Sequence, residues 1–517
     1  MVDAFPTEYK MSEIVNNKRI AKNTVYLYLR TLVVIVINLY ASRVILATLG
    51  IEDYGIYNVV AGVVAMFGFL NNAMVASSQR FISFEQGRSD IERQKDVYST
   101  SILIHVTIAI IIIFFAETIG LWFLNNKLNI SDERMIAANW VYQGAILTFI
   151  FKIINTPNQA SVIAHEHMHF FAIVSVLDAI LQLAIIYILK VFSVDKLILY
   201  SILLLGVAFL NLLLYRLYTI SKFKECRFKI VRDFTLFKEM FAFSGWSFMG
   251  NFGIAMSGPA VNIIVNIFCG PAVNAARGIA NQVSAVTRNF VSSYQQAVNP
   301  QITKRYAAGE IESMKTLVRY SSKFSFYLFA IIVVPLFVRA DYVLNLWLEE
   351  VPDFTFEFLQ LTLIAALVTS MVEPFTTGIQ ATGKIKVFQI VIMAILFINL
   401  PLSYIVLKIG MPPYSVMYAT IFTEVLALLS RMMLMNYYVK IDLKDFVVSI
   451  FLHNIITGLL MFMLPVFVNQ FFPQTFMGLV LICLFSVIWS IFVIVTIGFS
   501  KQERSLVLSL IRKRINI

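Results

Sequence analysis

Two arginines, Arg277 and Arg288, stand eleven residues apart in a stretch that is otherwise compatible with lipid. Eleven residues make about three helical turns, so both guanidiniums lie on one face of a helix. Asn281 lies on the same face, one turn after Arg277. A charge at the centre of a bilayer costs about 3 kcal/mol even on the most lenient scale. This stripe is therefore predicted to face a water-filled cavity and to bind an anion.

The preceding segment, residues 239–268, offers this stripe a matching surface of small and polar side chains. Residues 257–259 (SGP) are expected to bend or break that helix, because proline lacks an N–H group and clashes with the preceding turn. Residues 269–271 (CGP) predict a tight turn between the two helices. A broken helix beside a cationic helix at membrane depth is typical of an internal binding site.

A third guanidinium, Arg30, lies deep in the first predicted span and is also a candidate for binding the anion. Few acids fall inside spans. Glu117 is near the outer end of the third span and is expected to be interfacial, and the others are Asp178, Glu373 and Glu424. The last three are candidates for coupling. Two interpretations of them stay open. They are proton- or ion-coupling carboxylates, because desolvation raises the pKa of a carboxyl group, or they are silent salt-bridge partners of the arginines.

The elements that position these residues are membrane helices. The chain has 517 residues, of which 59% are hydrophobic and only 14% are charged, which excludes an ordinary soluble protein. Three scattered cysteines give neither a disulfide framework nor a metal-binding spacing. At about 20 apolar residues each, fourteen spans are predicted, with an all-α integral membrane fold: 23–47, 57–78, 98–122, 135–156, 169–189, 197–219, 239–268, 272–299, 318–340, 357–380, 386–408, 415–438, 446–468 and 476–498.

Both ends of the chain are predicted to be cytoplasmic. With the N-terminus inside, 28 lysines and arginines fall in inside segments, 6 in outside segments and 7 within spans. This bias follows the positive-inside rule and explains the net charge of +11 without a nucleic-acid partner. Residues 14–22 predict either an interfacial amphipathic helix or a frayed polar tail. Residues 500–517 predict a basic amphipathic helix on the inner leaflet.

Two halves of the chain repeat at a spacing of 215 to 222 residues. Pro157 matches Pro374, and Arg216 matches Arg431, each near the end of a corresponding span. We therefore predict an N-lobe of helices 1–6 (residues 1–219), a C-lobe of helices 7–12 (220–438) and a terminal pair with its tail (439–517). Because six is an even number of helices, both lobes are predicted to have the same orientation in the membrane, with a cleft between them.

The repeat separates two kinds of membrane charge. Arg216 and Arg431 are present in both lobes near the cytoplasmic face, so we expect them to reach the interface along their apolar stems. Arg30, Arg277 and Arg288 have no counterpart in the other lobe. As a hypothesis, a charge present in only one lobe serves a ligand, and we expect these three to line the cleft.

Two motifs suggest cofactor chemistry and are rejected. Residues 378–384 (GIQATGK) begin like a P-loop, but Ile385 follows where the motif needs Ser or Thr. Residues 165–169 (HEHMH) look like metal ligands, but two of the histidines match Lys384 and Lys386 in the repeat, so a cytoplasmic basic turn facing lipid headgroups is expected. No cofactor or metal is expected. With soluble segments of at most about 20 residues and no catalytic constellation, no enzymatic activity is expected.

Residues 43–57 (RVILATLGIEDYGIY) resemble the junction of helices 1 and 2 in bacterial polysaccharide-repeat-unit (Wzx-type) flippases. Residues 160–168 (ASVIAHEHM) resemble the segment after helix 4 in the same family. That family belongs to the exporter superfamily of MATE multidrug exporters and lipid II flippases. The resemblance covers nearly the whole chain, and the layout of six, six and two helices suits it.

The resemblance implies a cargo of oligosaccharide linked through a diphosphate to a polyprenyl lipid. Lipid II flippases have cavity arginines in helices 1 and 8, where this chain has Arg30 and Arg277. The sugar head would cross within the cleft, by rocking of the lobes, from the cytoplasmic to the outer leaflet of the bacterial inner membrane. An ion gradient or the membrane potential would drive it. The expected partners are the glycan lipid, membrane lipids and the polysaccharide polymerase machinery.

Two related functions remain as alternatives: an ion-coupled multidrug exporter and a lipid II flippase. An exporter of organic cations should have acidic or aromatic cavity walls, against which three arginines without counterparts argue. A membrane-embedded glycan ligase or polymerase would need large outer loops, and the longest outer segment here is short.

The orientation of the chain can be tested by thiol labelling. A cysteine placed between predicted helices 9 and 10, within residues 341–356, should react in intact cells with a reagent that does not cross membranes, because that segment is predicted to lie outside. The three natural cysteines are first replaced. A cysteine at Lys224, in an inside segment, should react only after the cells are opened, and the reverse pattern would refute the predicted topology.

Overall fold

The described part of the chain is helical throughout its regular structure, and the predicted all-α class is confirmed. The computed structural model describes residues 7–50, 53, 56, 57, 60, 68–127, 130–192, 194–348, 351–500 and 504. These residues form two compact units. The first contains residues 1–252 and 296–309, and the second contains 253–295 and 310–517.

The helices of the first unit are α1 (Thr7–Leu49), α2 (Gly68–Arg88), α3 (Ile91–Phe115), α4 (Leu121–Lys127), α5 (Asp132–Ala164), α6 (Met168–Val191) and α7 (Lys196–Lys222). Helix α8 (Phe234–Ala307) contributes to both units. The second unit continues with α9 (Ile311–Val338), α10 (Ala340–Trp347), α11 (Thr355–Ser370), α12 (Glu373–Ala381), α13 (Lys386–Lys408), α14 (Val416–Val439), α15 (Leu443–Phe446), α16 (His453–Asn469) and α17 (Phe476–Val493).

Helix α5 is the centre of the first unit, where it packs against α2, α3 and α7. Small residues make the close approach to α7 feasible: a Cβ atom on Gly144 would lie 3.2 Å from Cβ of Ser201. Helix α1 packs along α6. In the second unit, α14 packs against α11 and α13, while α9 packs against α11, α16 and α17.

Twelve helices of the described residues are long and apolar enough to cross a membrane, so the chain is a multi-pass membrane protein. The predicted number of fourteen spans stays a prediction. Predicted span 57–78 lies partly outside the described residues. Predicted span 272–299 is helical as part of α8 but does not count among the twelve, because its polar stripe lowers its hydropathy.

Helix α8 consists of two helices that meet at Gly270, whose φ of 82° and ψ of 178° are outside the helical range. The predicted turn between two helices at residues 269–271 is therefore present. Residues 257–259 were expected to bend or break the first of these helices, and the helix is not broken there, because the backbone stays helical through Pro259. Any one proline removes a single hydrogen bond, and the neighbouring turns keep the helix continuous.

Three predicted boundaries are corrected. Helix α1 begins at Thr7, so residues 14–22 are continuous with the first span. Residues 79–87 and 300–307, which follow the predicted spans 57–78 and 272–299, are the last turns of α2 and α8. These ends meet at Gly87, where a Cβ atom would lie 2.4 Å from the carbonyl oxygen of Lys304. A side chain there would force the helix ends apart, which explains why glycine stands at this position.

A buried carboxylate, Glu166, joins distant segments of the first unit. Its side chain is fully buried, and its Oε1 accepts hydrogen bonds from Nζ of Lys304 at 2.8 Å and from Nε2 of Gln301 at 2.6 Å. Nε of Arg19 lies 3.1 Å from its Oε2. Glu166 has a φ of 61°, an unfavourable backbone conformation for a residue other than glycine. The side-chain contacts therefore hold the backbone in a strained conformation.

The expectation of a basic turn facing lipid headgroups is wrong for most of residues 165–169. Nε2 of His165 lies 2.5 Å from a carboxylate oxygen of Glu225, and His165 stacks on Phe223. His167 is hydrogen-bonded to the hydroxyl of Tyr218, and burial lowers the pKa of His167 to about 4. Only His169 is exposed. His165 and His167 are thus partners within a packed loop, and a sequence pattern alone does not show which side chains face inward.

Most of the predicted inner-leaflet tail, residues 501–503 and 505–517, lies outside the described residues. Among the residues that the structure does describe, no group of three or more His, Cys, Asp or Glu side chains is arranged to hold a metal ion.

Replacing Glu166 by Gln should lower the stability of the protein strongly. The change keeps the size and the backbone conformation but leaves Lys304 and Arg19 without their counter-charge. Removal of one partner of a buried ion pair costs about 3 kcal/mol. The readout is the melting temperature of the purified chain in detergent. Glu312→Gln is the matched control, because Glu312 pairs with Lys315 while its side chain is 85% exposed. Equal melting temperatures for the two variants would contradict the anchoring role of Glu166.

Candidate anion-binding site

The site is built from the residues around Arg277, in the part of α8 after the kink. Arg277 is 4% exposed. Its Nη1 donates hydrogen bonds to the carbonyl oxygen of Gly258, at 3.3 Å, and to Oδ1 of Asn262. Both acceptors belong to the part of α8 before the kink. The reversal at Gly270 thus brings the two halves of α8 together around one guanidinium.

This guanidinium is not neutralised within the described residues. No carboxylate oxygen of that part of the chain lies within the 4 Å of an ion pair with Arg277. Its Nε–H is buried and has no hydrogen-bond partner among the described side chains and backbone groups. A carbonyl and an amide supply partial charges only, so most of the positive charge remains unbalanced. An anion that accepts from Nε would complete the site.

Two amides extend the same face of α8. Asn281, one turn after Arg277, is partly buried, and Asn274, one turn before it, has an Oδ1 atom that is buried without a partner in the described structure. An amide offers both a donor and an acceptor, so the pair suits hydroxyl groups next to an anion. The sequence prediction named Asn281 and missed Asn274, although its spacing of three residues from Arg277 was visible.

Arg288 differs from Arg277 although both lie on α8. It is exposed, and its Nε donates to Oγ of Ser284 at 3.3 Å. The charge of Glu424 acts on Arg288. Arg288 is therefore accessible and the charge of an acid acts on it, whereas Arg277 is buried and no acid among the described residues acts on its charge.

Arg431 does not reach the interface as predicted. It is 5% exposed, and it donates from Nε to Oγ1 of Thr376 at 3.2 Å and from Nη1 to the carbonyl oxygen of Ala427 at 3.1 Å. The charges of Glu373 and Glu424 both act on it. Two of the three predicted coupling acids thus act on the charge of one buried arginine in the second unit.

Arg30 belongs to a separate network in the first unit. Its guanidinium carbon lies 5.2 Å from the ring centroid of Phe171, and its Nε is buried without a partner among the residues described. Asp178 and Tyr215 act on its charge. Asp178 accepts hydrogen bonds from Asn211 at 2.6 Å and from Gln182 at 2.8 Å. Asp178 is thus the carboxylate whose charge acts on Arg30.

These networks lie in the fold of a MATE transporter. One solved structure, the outward-facing conformation of a multidrug resistance MATE family transporter of the MOP superfamily, is matched with a TM-score of 0.72 at 14% identity, over 83% of this chain and 97% of that one. A MOP superfamily transporter from Pyrococcus furiosus gives 0.69 at 13% identity, over 82% and 96%. The MATE transporter ClbM in complex with Rb⁺ gives 0.67 at 16% identity, over 80% and 94%.

The match to a family profile covers a shorter part of the chain than the structural matches do. The MatE family profile matches residues 247–405, which include Arg277, Arg288 and Glu373. No curated protein matches the chain. The structural matches show the fold of the chain, and the profile matches part of it. Transport activity and the expected lack of enzymatic activity stay predictions. The orientation of the termini and the identity of the membrane stay predictions.

Arg277 and Arg431, two of the buried arginines of the second unit, should respond oppositely to the same substitution. Arg277→Met should leave the melting temperature unchanged or raise it, because it removes a buried charge that has no acid beside it. Arg431→Met should destabilise the chain by about 3 kcal/mol, because Glu373 and Glu424 lose their cation. Melting of both variants in the same detergent, without added cargo, is the measurement. A larger loss for Arg277→Met than for Arg431→Met would show that Arg277 is a structural residue.

Proposed function

We propose that the chain flips a polyprenyl-diphosphate-linked oligosaccharide from the cytoplasmic to the outer leaflet by alternating access through an arginine-lined cleft. The observation that carries the proposal is the buried guanidinium of Arg277, which has a free Nε–H and no acid beside it among the described residues. A diphosphate supplies the missing charge and accepts parallel hydrogen bonds from a guanidinium. Arg30 and the exposed Arg288 are proposed to contact the same class of ligand.

The neighbouring amides support a glycan next to the diphosphate. Asn274 and Asn281 flank Arg277 along α8, and carbohydrate hydroxyls are donors and acceptors that such amides recognise. The polyprenyl chain has no need of a protein pocket, because its free energy is lowest in the bilayer.

The proposed driving force is an ion gradient or the membrane potential, with Asp178, Glu373 and Glu424 as coupling candidates. Glu424 is the strongest of the three, because its charge acts on both Arg288 and Arg431. An anionic headgroup that binds Arg288 would weaken the hold of that arginine on Glu424 and so link cargo binding to the charge of the acid. The complex of ClbM with Rb⁺ shows that a MATE transporter can bind a monovalent cation.

A multidrug exporter of the same superfamily is the second candidate, and a lipid II flippase shares the diphosphate chemistry. The exporter is favoured by the fold, because one of the matched structures is a multidrug resistance transporter. The charge of the site argues for an anionic cargo. The P. furiosus transporter is described as having a binding pocket of reverse polarity that suggests a different function, so the charge of the pocket varies within this fold.

Binding of a synthetic polyprenyl diphosphate to the purified chain tests the proposal directly. The diphosphate should bind more tightly than the corresponding monophosphate. Arg277→Ala should weaken diphosphate binding about tenfold to a hundredfold, the worth of charge-assisted hydrogen bonds. Arg277→Lys should recover only part of the loss, because an ammonium group cannot form two parallel hydrogen bonds.

Arg227→Ala is the matched control, because Arg227 is an exposed arginine outside the helices. Export of an organic cation such as ethidium is measured with the same variants. If Arg277→Ala leaves diphosphate binding unchanged and alters ethidium export instead, the multidrug alternative replaces the flippase proposal.

A further inference from the structure

A connecting segment of eleven residues, 223–233, joins α7 to α8 within the first unit. It begins with a short 3-10 turn, Lys224–Cys226, and then continues without regular structure. The helices on either side are long and apolar enough to cross the membrane, and they end at Lys222 and begin at Phe234. Because six of its eleven residues are charged, the segment does not cross the bilayer and stays at one membrane surface.

One side of the connecting segment is held against the start of α3. Nζ of Lys229 lies 2.8 Å from Oδ1 of Asp96 and 3.5 Å from Oε2 of Glu92. The backbone N–H of Lys229 donates to Oγ of Ser99 at 3.1 Å. All three partners belong to the first turns of α3. Lys229 therefore faces the protein and fixes the inner side of the segment.

The two acids of the connecting segment also have partners within the first unit. Oε1 of Glu225 lies 2.5 Å from Nε2 of His165, and Oδ2 of Asp233 accepts a hydrogen bond from Nη1 of Arg93 at 2.8 Å. Asp233 also accepts from the backbone N–H of Leu236 at 2.9 Å, which caps the start of α8. Both carboxylates are thus engaged by groups of the protein on the inner side.

The outer side of the connecting segment is apolar and exposed. Phe228 and Ile230, the two neighbours of Lys229, are 52% and 81% exposed. The side chains therefore alternate, inward at Lys229 and outward on either side of it, as in an extended chain. Phe234, at the start of α8, is 75% exposed. Exposed large apolar side chains that cluster in this way mark a surface that contacts another molecule or an apolar phase.

This apolar side is continuous with an aromatic row on α8. Phe234, Phe237 and Phe241 follow one another at spacings of three and four residues, which places them on one face of the helix. Their rings are stacked, with centroid distances of 6.2 Å and 5.9 Å. Phe241 lies two turns inside the span and is still 43% exposed. The row thus leads from the connecting segment along a face of α8 that is suited to lipid.

Exposed cations lie beside the apolar side chains. Lys224 and Arg232 are exposed on the segment, and Lys222 and Lys238 are exposed on the adjoining turns of α7 and α8. Aromatic and aliphatic side chains with Lys and Arg at their edge are the composition of segments that lie in the membrane interface. Lysines and arginines close to an anionic leaflet are attracted to it. The place of the segment between two spans keeps these cations within reach of the headgroups.

We propose that the connecting segment is a docking surface for the anionic lipids of the adjoining leaflet. Phe228, Ile230 and Phe234 enter the interfacial region of the bilayer, and Lys224 and Arg232 contact the phosphate groups. The contacts with α3 hold the segment with its apolar side towards the lipid. The surface belongs to the first unit and uses none of the residues of the proposed cargo site, so its test does not depend on the proposed function.

The experiment uses the full chain in lipid nanodiscs, with its three natural cysteines replaced and a nitrobenzoxadiazole fluorophore attached at Ile230→Cys. Lipids that carry a spin label near the glycerol group quench this fluorophore when the segment enters the interface. Quenching should be strong in discs of phosphatidylglycerol and weak in discs of phosphatidylcholine with the same acyl chains. Both leaflets of a disc have the same composition, so the result does not depend on the orientation of the chain.

Removal of one exposed cation should weaken the docking. Arg232→Gln should shift the equilibrium between the inserted and the free segment about fivefold towards the free form in phosphatidylglycerol, the effect of one basic residue near an anionic surface. Lys224→Gln should act in the same direction, and it decides if Arg232→Gln is not monodisperse. Lys190→Gln is the matched control, because Lys190 is exposed at the C-terminal end of α6, whereas the connecting segment contacts His165, just before the N-terminal end.

Equal quenching in the two lipids would overturn the proposal, as would equal losses of quenching for Arg232→Gln and Lys190→Gln. A fluorophore in phosphatidylglycerol discs that is quenched by aqueous iodide and not by spin-labelled lipid would show that the segment stays in water. Its apolar side would then fit a soluble partner instead of the leaflet.

Discussion

A guanidinium within a membrane protein must find a partner for its charge, and the buried arginines of this chain find different ones. Arg339 is fully buried and is held by the amide oxygen of Gln474 at 2.6 Å and by the carbonyl oxygens of Phe472 and Pro473. Arg431 has a hydroxyl, a carbonyl and two acids acting on its charge. Arg277 has one carbonyl and one amide. Nε of Arg339 and Nε of Arg277 are both buried without a described partner, but Arg339 has three acceptors for its other N–H groups and Arg277 has two. Arg277 therefore has more N–H groups left for a ligand.

The acids within the helices also differ in how fully their side chains are occupied by partners. Asp178 already accepts two amide hydrogen bonds, so its oxygens are largely occupied within the first unit. The charge of Glu424 interacts with two arginines, the exposed Arg288 and the buried Arg431. A carboxylate whose partners compete is better placed to respond to a ligand than one whose partners are fixed. The open alternatives for these acids are therefore not equally supported: Asp178 fits a structural role better, and Glu424 fits a coupling role better.

The sequence was sufficient for the class of fold, whereas the role of Arg277 in a site stays a prediction. Hydropathy predicted the helices, and the absence of a counterpart in the repeat distinguished Arg277 from Arg431. It did not predict that Glu166 is buried or that Arg431 is enclosed, because both depend on which other helices lie against them. The spacing of residues shows which side chains share a face of one helix. It does not show which side chains meet from distant segments, and the partner of Glu166, for example, is Lys304, more than a hundred residues away. The continuity of α2 through residues 79–87 was missed for the same reason.

Helix α8 contributes residues 234–252 and 296–307 to one compact unit and residues 253–295 to the other. The boundary between the units therefore crosses the chain three times within about sixty residues, at positions near 252, 295 and 309. A single cut in the polypeptide cannot yield two pieces that each hold a whole unit. A chimaera that replaces one whole unit by that of a relative would therefore need three junctions, near residues 252, 295 and 309, rather than one.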